Sequence, residues 1–148
     1  MSCLSEKIVS LLLDGRYDEA RTMLHIVRQS PGHELTLEIA GLKEALRVEA
    51  DGLGKSAAAM RQVMAATFIL ADILRESEEW GKAEVFYDEV VKQSLAMNEP
   101  FFLTNARMCR ALCLKRLGRT VELQREKAQI RSGTTILLDG GELRVGDL

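Results

Sequence analysis

The chain has 148 residues, enough for one domain that buries a core without a disulfide or metal staple. Its 20 Lys and Arg against 22 Asp and Glu leave a net charge of -2, which argues against the basic field of a nucleic-acid binder and against a polybasic membrane patch. Three cysteines, Cys3, Cys109 and Cys113, with no secretory pattern near the N-terminus, point to reduced thiols and a cytoplasmic chain.

Apolar residues at three- and four-residue steps mark the elements. Leu4, Ile8, Leu11 and Leu12 predict a helix over residues 4–13, closed by Asp14-Gly15. Ala20, Met23, Leu24 and Val27 predict a second over 16–29, ended by Ser30-Pro31-Gly32. Leu35, Ile39, Leu42 and Leu46 predict a third from about 34 to 50, with Asp51-Gly52-Leu53-Gly54 as its break. Residues 57–76 contain no breaker and read as one helix, with room for a bend near Ala65-Ala66. The apolar runs at 8–13 and 64–73 are interrupted short of the roughly 20 residues that a membrane span requires, so no membrane segment is expected.

Ala83, Phe86, Tyr87 and Val90 share a face of a helix over 80–97, which Asn98-Glu99-Pro100 closes. Pro100 is expected to start the next helix, which carries Ala106, Cys109, Cys113 and Leu117 to a stop at Gly118. A last helix follows over 120–130. Thr134 to Leu138 are strand formers, Asp139-Gly140-Gly141 is a turn, and Leu143 and Val145 alternate with polar neighbours. The end is therefore a β-hairpin or a flexible tail, expected to be dispensable for the helical fold.

Helices broken about every 15 residues by short gaps must pack antiparallel. The run Leu13-Asp14-Gly15-Arg16-Tyr17-Asp18-Glu19-Ala20, followed by Leu24 and Val27, resembles the tetratricopeptide signature. There an aromatic follows the turn, and a small alanine lets two helices approach closely. Leu70, Leu74, Trp80, Ala83, Tyr87 and Val90 repeat it, with acidic residues at the turn. Ala111, Leu114, Gly118 and Leu123 form a third copy, with Thr120 for the aromatic and Leu123 for the alanine. Residues 34–64 are at best a degenerate repeat. The wide spacing of the later copies, beyond the family's usual ~34 residues, implies longer helices. Bacterial type III secretion chaperones are similar in size and style, with Glu99-Pro100-Phe101 leading into Ala106 and Cys109 like their last repeat.

The resemblance implies an all-α fold, an antiparallel helix-hairpin repeat stack of about seven helices. It would occupy 1–131 as one tetratricopeptide-like domain, with 132–148 as the hairpin or tail. It also implies a protein-protein interaction module, adaptor or chaperone-like, in which the first helix of each hairpin lines a concave groove. Carried over by position, the groove residues are Phe68, Asp72, Arg75, Asn105, Met108, Leu112, Lys115 and Arg116. The family's clamp for a C-terminal carboxylate needs Lys and Asn where this chain has Phe68 and Asp72, then Met108 and Leu112, so no such clamp is expected. Met108 and Leu112 are expected as an exposed apolar floor suited to a helical or extended apolar segment of another protein, or to a second copy of this chain.

Other chemistry is weighed against plainer roles. Cys109 and Cys113 stand four apart on one helix, but no second cysteine pair exists and His25 and His33 are remote, so core packing outweighs a zinc site. Gly52-Leu53-Gly54-Lys55-Ser56 lacks the spacing and preceding strand of a phosphate loop. Glu76, Glu78 and Glu79 read as a solvated cluster, and Arg107, Arg110, Lys115, Arg116 and Arg119 as a salt-bridged helix face or a surface that meets an acidic partner. No catalytic residue, metal or cofactor is expected. The rival from another class is a small enzyme or enzyme accessory domain using Cys109 or a histidine.

Overall fold

The apolar periodicity becomes helix in the computed structural model, which describes residues 4–29 and 39–148. Ser30-Pro31-Gly32, His33, Leu35 and Cys3 lie outside the described residues. Seven helices are described: α1 Leu4–Leu13, α2 Tyr17–Gln29, α3 Ile39–Leu53, α4 Ala57–Glu76, α5 Trp80–Met97, α6 Leu103–Leu117 and α7 Thr120–Ala128. A two-stranded antiparallel sheet follows, β1 Thr135–Leu138 and β2 Gly141–Arg144, then a short 3-10 turn at Val145–Asp147. Within α4 the chain divides into two units, Met1–Leu70 and Ala71–Leu148.

Three helix junctions are built alike. In each, a residue with positive φ turns the chain two positions before the next helix: Gly15 (77°), Glu78 (60°) and Gly118 (71°). Their amides close onto the carbonyls of Leu12, Arg75 and Lys115. The following amides of Arg16, Glu79 and Arg119 reach one residue further back, to Leu11, Leu74 and Leu114, at 2.9–3.0 Å. This paired closure satisfies carbonyls that a helix end would leave open. Three residues into each following helix stands a buried side chain: Ala20, Ala83 and Leu123.

In the first unit α1 packs along α2 and α3. Its buried face is Ile8, Val9, Leu12 and Leu13, answered by Ala20 and Leu24 on α2 and by Leu42, Ala45 and Leu46 on α3. Gly41 stands where a Cβ would lie 3.3 Å from Ser5 Oγ, which marks a close approach of α3 to α1. Gln62 Nε2 donates to the Leu13 carbonyl at 2.7 Å and so caps α1 from α4.

In the second unit α5 packs along α6, and α6 along α7. Ala83, Phe86, Tyr87 and Val90 of α5 are fully buried, as are Ala106, Met108, Ala111, Cys113 and Leu114 of α6. The hairpin belongs to this unit. Asp139 and Gly140 turn it with φ of 52° and 79°, the left-handed pair that matches strand twist. Thr135 pairs with Arg144 and Leu138 with Gly141. Ile136 and Val145 are buried, while Leu137 is 82% exposed.

Several boundaries differ from the sequence expectation. The helix expected to end at Ala50 runs through Asp51 and Gly52 to Leu53, and Gly54, with φ 91°, is the actual stop. A glycine inside a helix costs only about 1 kcal/mol, which neighbouring turns overcome. Pro100 does not start α6: the Leu103 amide bonds to the Pro100 carbonyl at 3.1 Å, a turn that precedes the helix. α4 is unbroken at Ala65-Ala66. By length and composition alone α4 could cross a bilayer, where interruptions in its apolar run were expected to forbid this. Here Met64, Ala66, Leu70, Ala71 and Leu74 are buried as in a core helix.

Glu78 is exposed and holds a left-handed backbone that glycine adopts without steric cost. Glu78→Gly is expected to stabilise the chain by about 0.5–1 kcal/mol, read from the midpoint of urea denaturation. A lower midpoint would mean that the glutamate side chain contributes more than its backbone strain costs.

Candidate functional site

The second unit carries charge inside. Arg75, on the last turn of α4, is 5% exposed, and three groups answer its guanidinium. Nε donates to the Tyr87 hydroxyl of α5 at 3.0 Å, Nη1 donates to Asp139 of the hairpin turn at 2.6 Å, and Nη2 lies 3.6 Å from Asp72. The Tyr87 hydroxyl in turn donates to Asp72. Burial pushes the Tyr87 hydroxyl far above its ordinary range, which keeps it a proton donor. Burial also raises Asp72 above the usual aspartate value, against the hydrogen bond from Tyr87 and the charge of Arg75.

A second cluster ties α5, α6 and α7. Arg110 Nε reaches Glu84 at 2.9 Å and Nη1 reaches Glu126 at 2.7 Å. Arg119 adds a contact to Glu84 at 3.3 Å and pairs with Glu122, while Arg107 lies 3.5 Å from Glu126. The side chains of Glu84 and Glu126 are only 6% and 7% exposed. Three of the five cations in the basic stretch are thus spent on carboxylates of this chain. Arg116 stacks over Trp80 at 5.5 Å, and Lys115 Nζ donates to the Asp147 carbonyl at 2.6 Å.

The eight groove positions fare unequally. Phe68 lies in the first unit and the other seven in the second. Asn105, Lys115 and Arg116 are exposed, and Phe68, Asp72 and Leu112 are half-buried. Met108 is fully buried, so it packs in the core and forms no exposed floor; Arg75 is enclosed by its own partners. The C-terminal segment itself engages two of the eight, Arg75 through Asp139 and Lys115 through Asp147. That involvement could not be read from helical spacing, because the partners lie 64 and 32 residues away along the chain.

Cys109 and Cys113 are buried free thiols. Burial, with Asp72 and Cys109 respectively adding to it, pushes each up to about 12, so neither is poised as a thiolate nucleophile. His25 is exposed on α2. Among the described residues no three of His, Cys, Asp and Glu stand close enough to hold a metal ion. An open recess of about 620 Å³ lies beside Lys127, Ile130, Ser132, Thr135, Arg144 and Asp147, with charges of both signs on its rim.

Two measurements check these clusters. Arg110→Met leaves Glu84 and Glu126 buried without their shared cation and is expected to destabilise by about 2–4 kcal/mol. Adding Glu84→Gln and Glu126→Gln should recover most of that loss in urea denaturation; no recovery would mean that the arginine acts through packing alone. For Asp72, a folded-state pKa above the unfolded one means that the native state holds the proton longer. Its contribution is therefore favourable at low pH and is lost as pH rises through the raised value. The stability of the wild type relative to Asp72→Asn should accordingly fall as pH rises through the carboxylate range, and a difference independent of pH would contradict the raised value.

Compared with models of protein families, with curated proteins and with solved structures, the chain matches none of them.

Proposed function

We propose that the second unit is a protein-interaction module of the helix-hairpin repeat kind, which receives a segment of another protein along α6 and the last turn of α4. The observation that carries this reading is the chain's own C-terminal segment, which engages Arg75 and Lys115, two of the positions that the tetratricopeptide resemblance assigns to a groove. Three junctions of one construction, each followed by a buried Ala20, Ala83 or Leu123, support the repeat. The polar and half-buried stripe of Asn105, Leu112, Lys115 and Arg116 supplies a surface for an extended or helical segment rather than a deep pocket for a small molecule. The two buried thiols, protonated at neutral pH, lend no support to the rival reading of a cysteine enzyme.

Asn105 and Arg116 mark the two ends of this stripe, both exposed. The variant Asn105→Arg with Arg116→Glu should melt within a few degrees of the wild type. It should retain at least tenfold less of whichever protein the wild-type chain captures from its native cell, a factor of about 1.4 kcal/mol. Undiminished capture by the folded variant would place the binding surface elsewhere.

A further inference from the structure

We propose that residues 134–148 form a displaceable strap that occupies the Arg75 and Lys115 positions of the partner groove in cis, and that the natural ligand is an acidic turn whose carboxylate takes the place of Asp139 on Arg75. The proposal rests on the groove reading above. The strap is pinned at two points by polar contacts, the Asp139 carboxylate on Arg75 at 2.6 Å and the Asp147 carbonyl on Lys115 at 2.6 Å. Within the strap Ile136 and Val145 are buried and Leu138 and Leu143 half-buried, whereas Leu137 is 82% exposed. An element held by few apolar contacts opens at a free energy well below that of the whole domain. Its tether is equally suited to movement: Arg131, Ser132 and Gly133 are exposed, and Gly133 turns the chain at φ 82°.

The chemistry of the ligand follows from what Arg75 offers. Its Nε and Nη2 are turned toward Tyr87 and Asp72, while Nη1 meets an Asp139 side chain that is 59% exposed. The inner side of the guanidinium is therefore held by the helices and the outer side by a carboxylate that water and competitors can reach. A carboxylate on a turn satisfies that donor as Asp139 does, whereas a neutral side chain leaves a buried charge unanswered. A tethered strap competes at an effective concentration in the millimolar range, so a partner must bring additional contacts, for which Asn105 and Arg116 are exposed.

The test uses the full chain and a labelled peptide of residues 134–148 as the probe, followed by fluorescence anisotropy. The chain carrying Asp139→Asn should bind the peptide at least tenfold more tightly than the wild-type chain, whose own strap competes. A peptide with Asp139→Asn should bind that same chain at least tenfold more weakly than the unaltered peptide. Equal binding to both chains, equal binding of both peptides, or no saturable binding overturns the proposal. In the unaltered chain, hydrogen exchange supplies a readout that does not depend on any variant folding. The amides of the two strands should exchange at least a hundredfold faster than those of α6, because a released two-stranded hairpin is marginal by itself. Exchange of both only through the same global opening overturns the strap. A partner that depends on Asn105 and Arg116 but is indifferent to Asp139 would leave the groove reading standing while removing the strap.

Discussion

A charge carried out of water must be met by another, and the second unit is organised around two guanidinium groups under that constraint. Arg75 draws α5 and the hairpin turn to the end of α4 through Tyr87, Asp72 and Asp139. Arg110 holds α5 and α7 to α6 through Glu84 and Glu126. Apolar packing brings these elements together without direction, whereas the arginines demand particular carboxylates and so select one arrangement among many of similar apolar area. The hydroxyl of Tyr87 shows the same economy: its ring fills the core, and its oxygen joins an arginine to an aspartate.

Much of the helical framework is legible in the sequence because its punctuation is chemical. Trp80–Met97 is read to the residue, since acidic turn residues precede it and Asn98 takes the left-handed cap that ends it. Asp51-Gly52 misleads because a single glycine is a weak breaker, and packing of Leu42, Ala45 and Leu46 carries α3 past it. Pro100 misleads because its fixed φ suits either the first turn of a helix or the turn before one.

The burial of the positions assigned to a groove was only half legible. Spacing on α6 separates a buried from an exposed stripe, and Asn105, Lys115 and Arg116 do fall outside. Met108 falls inside, because the register that a family pattern supplies cannot resolve a residue at the border of two stripes. Arg75 would ordinarily be assigned to solvent from its charge; its burial depends on Asp139, 64 residues later, and no local pattern announces such a pairing. The cysteines follow the opposite rule: their four-residue spacing on an apolar face already favoured core packing, and both are buried.

The Arg110 cluster also bears on how the second unit responds to heat. Hydration of ions becomes less favourable as temperature rises, so the cost of keeping Glu84, Glu126 and Arg110 from water shrinks on warming, while the gain per unit of buried apolar surface levels off. Because the side chains of these carboxylates are only 6% and 7% exposed, dissolved salt screens their attraction far less than it would on an open helix face. The seam joining α5, α6 and α7 thus becomes relatively stronger as the apolar remainder of the unit approaches its melting temperature.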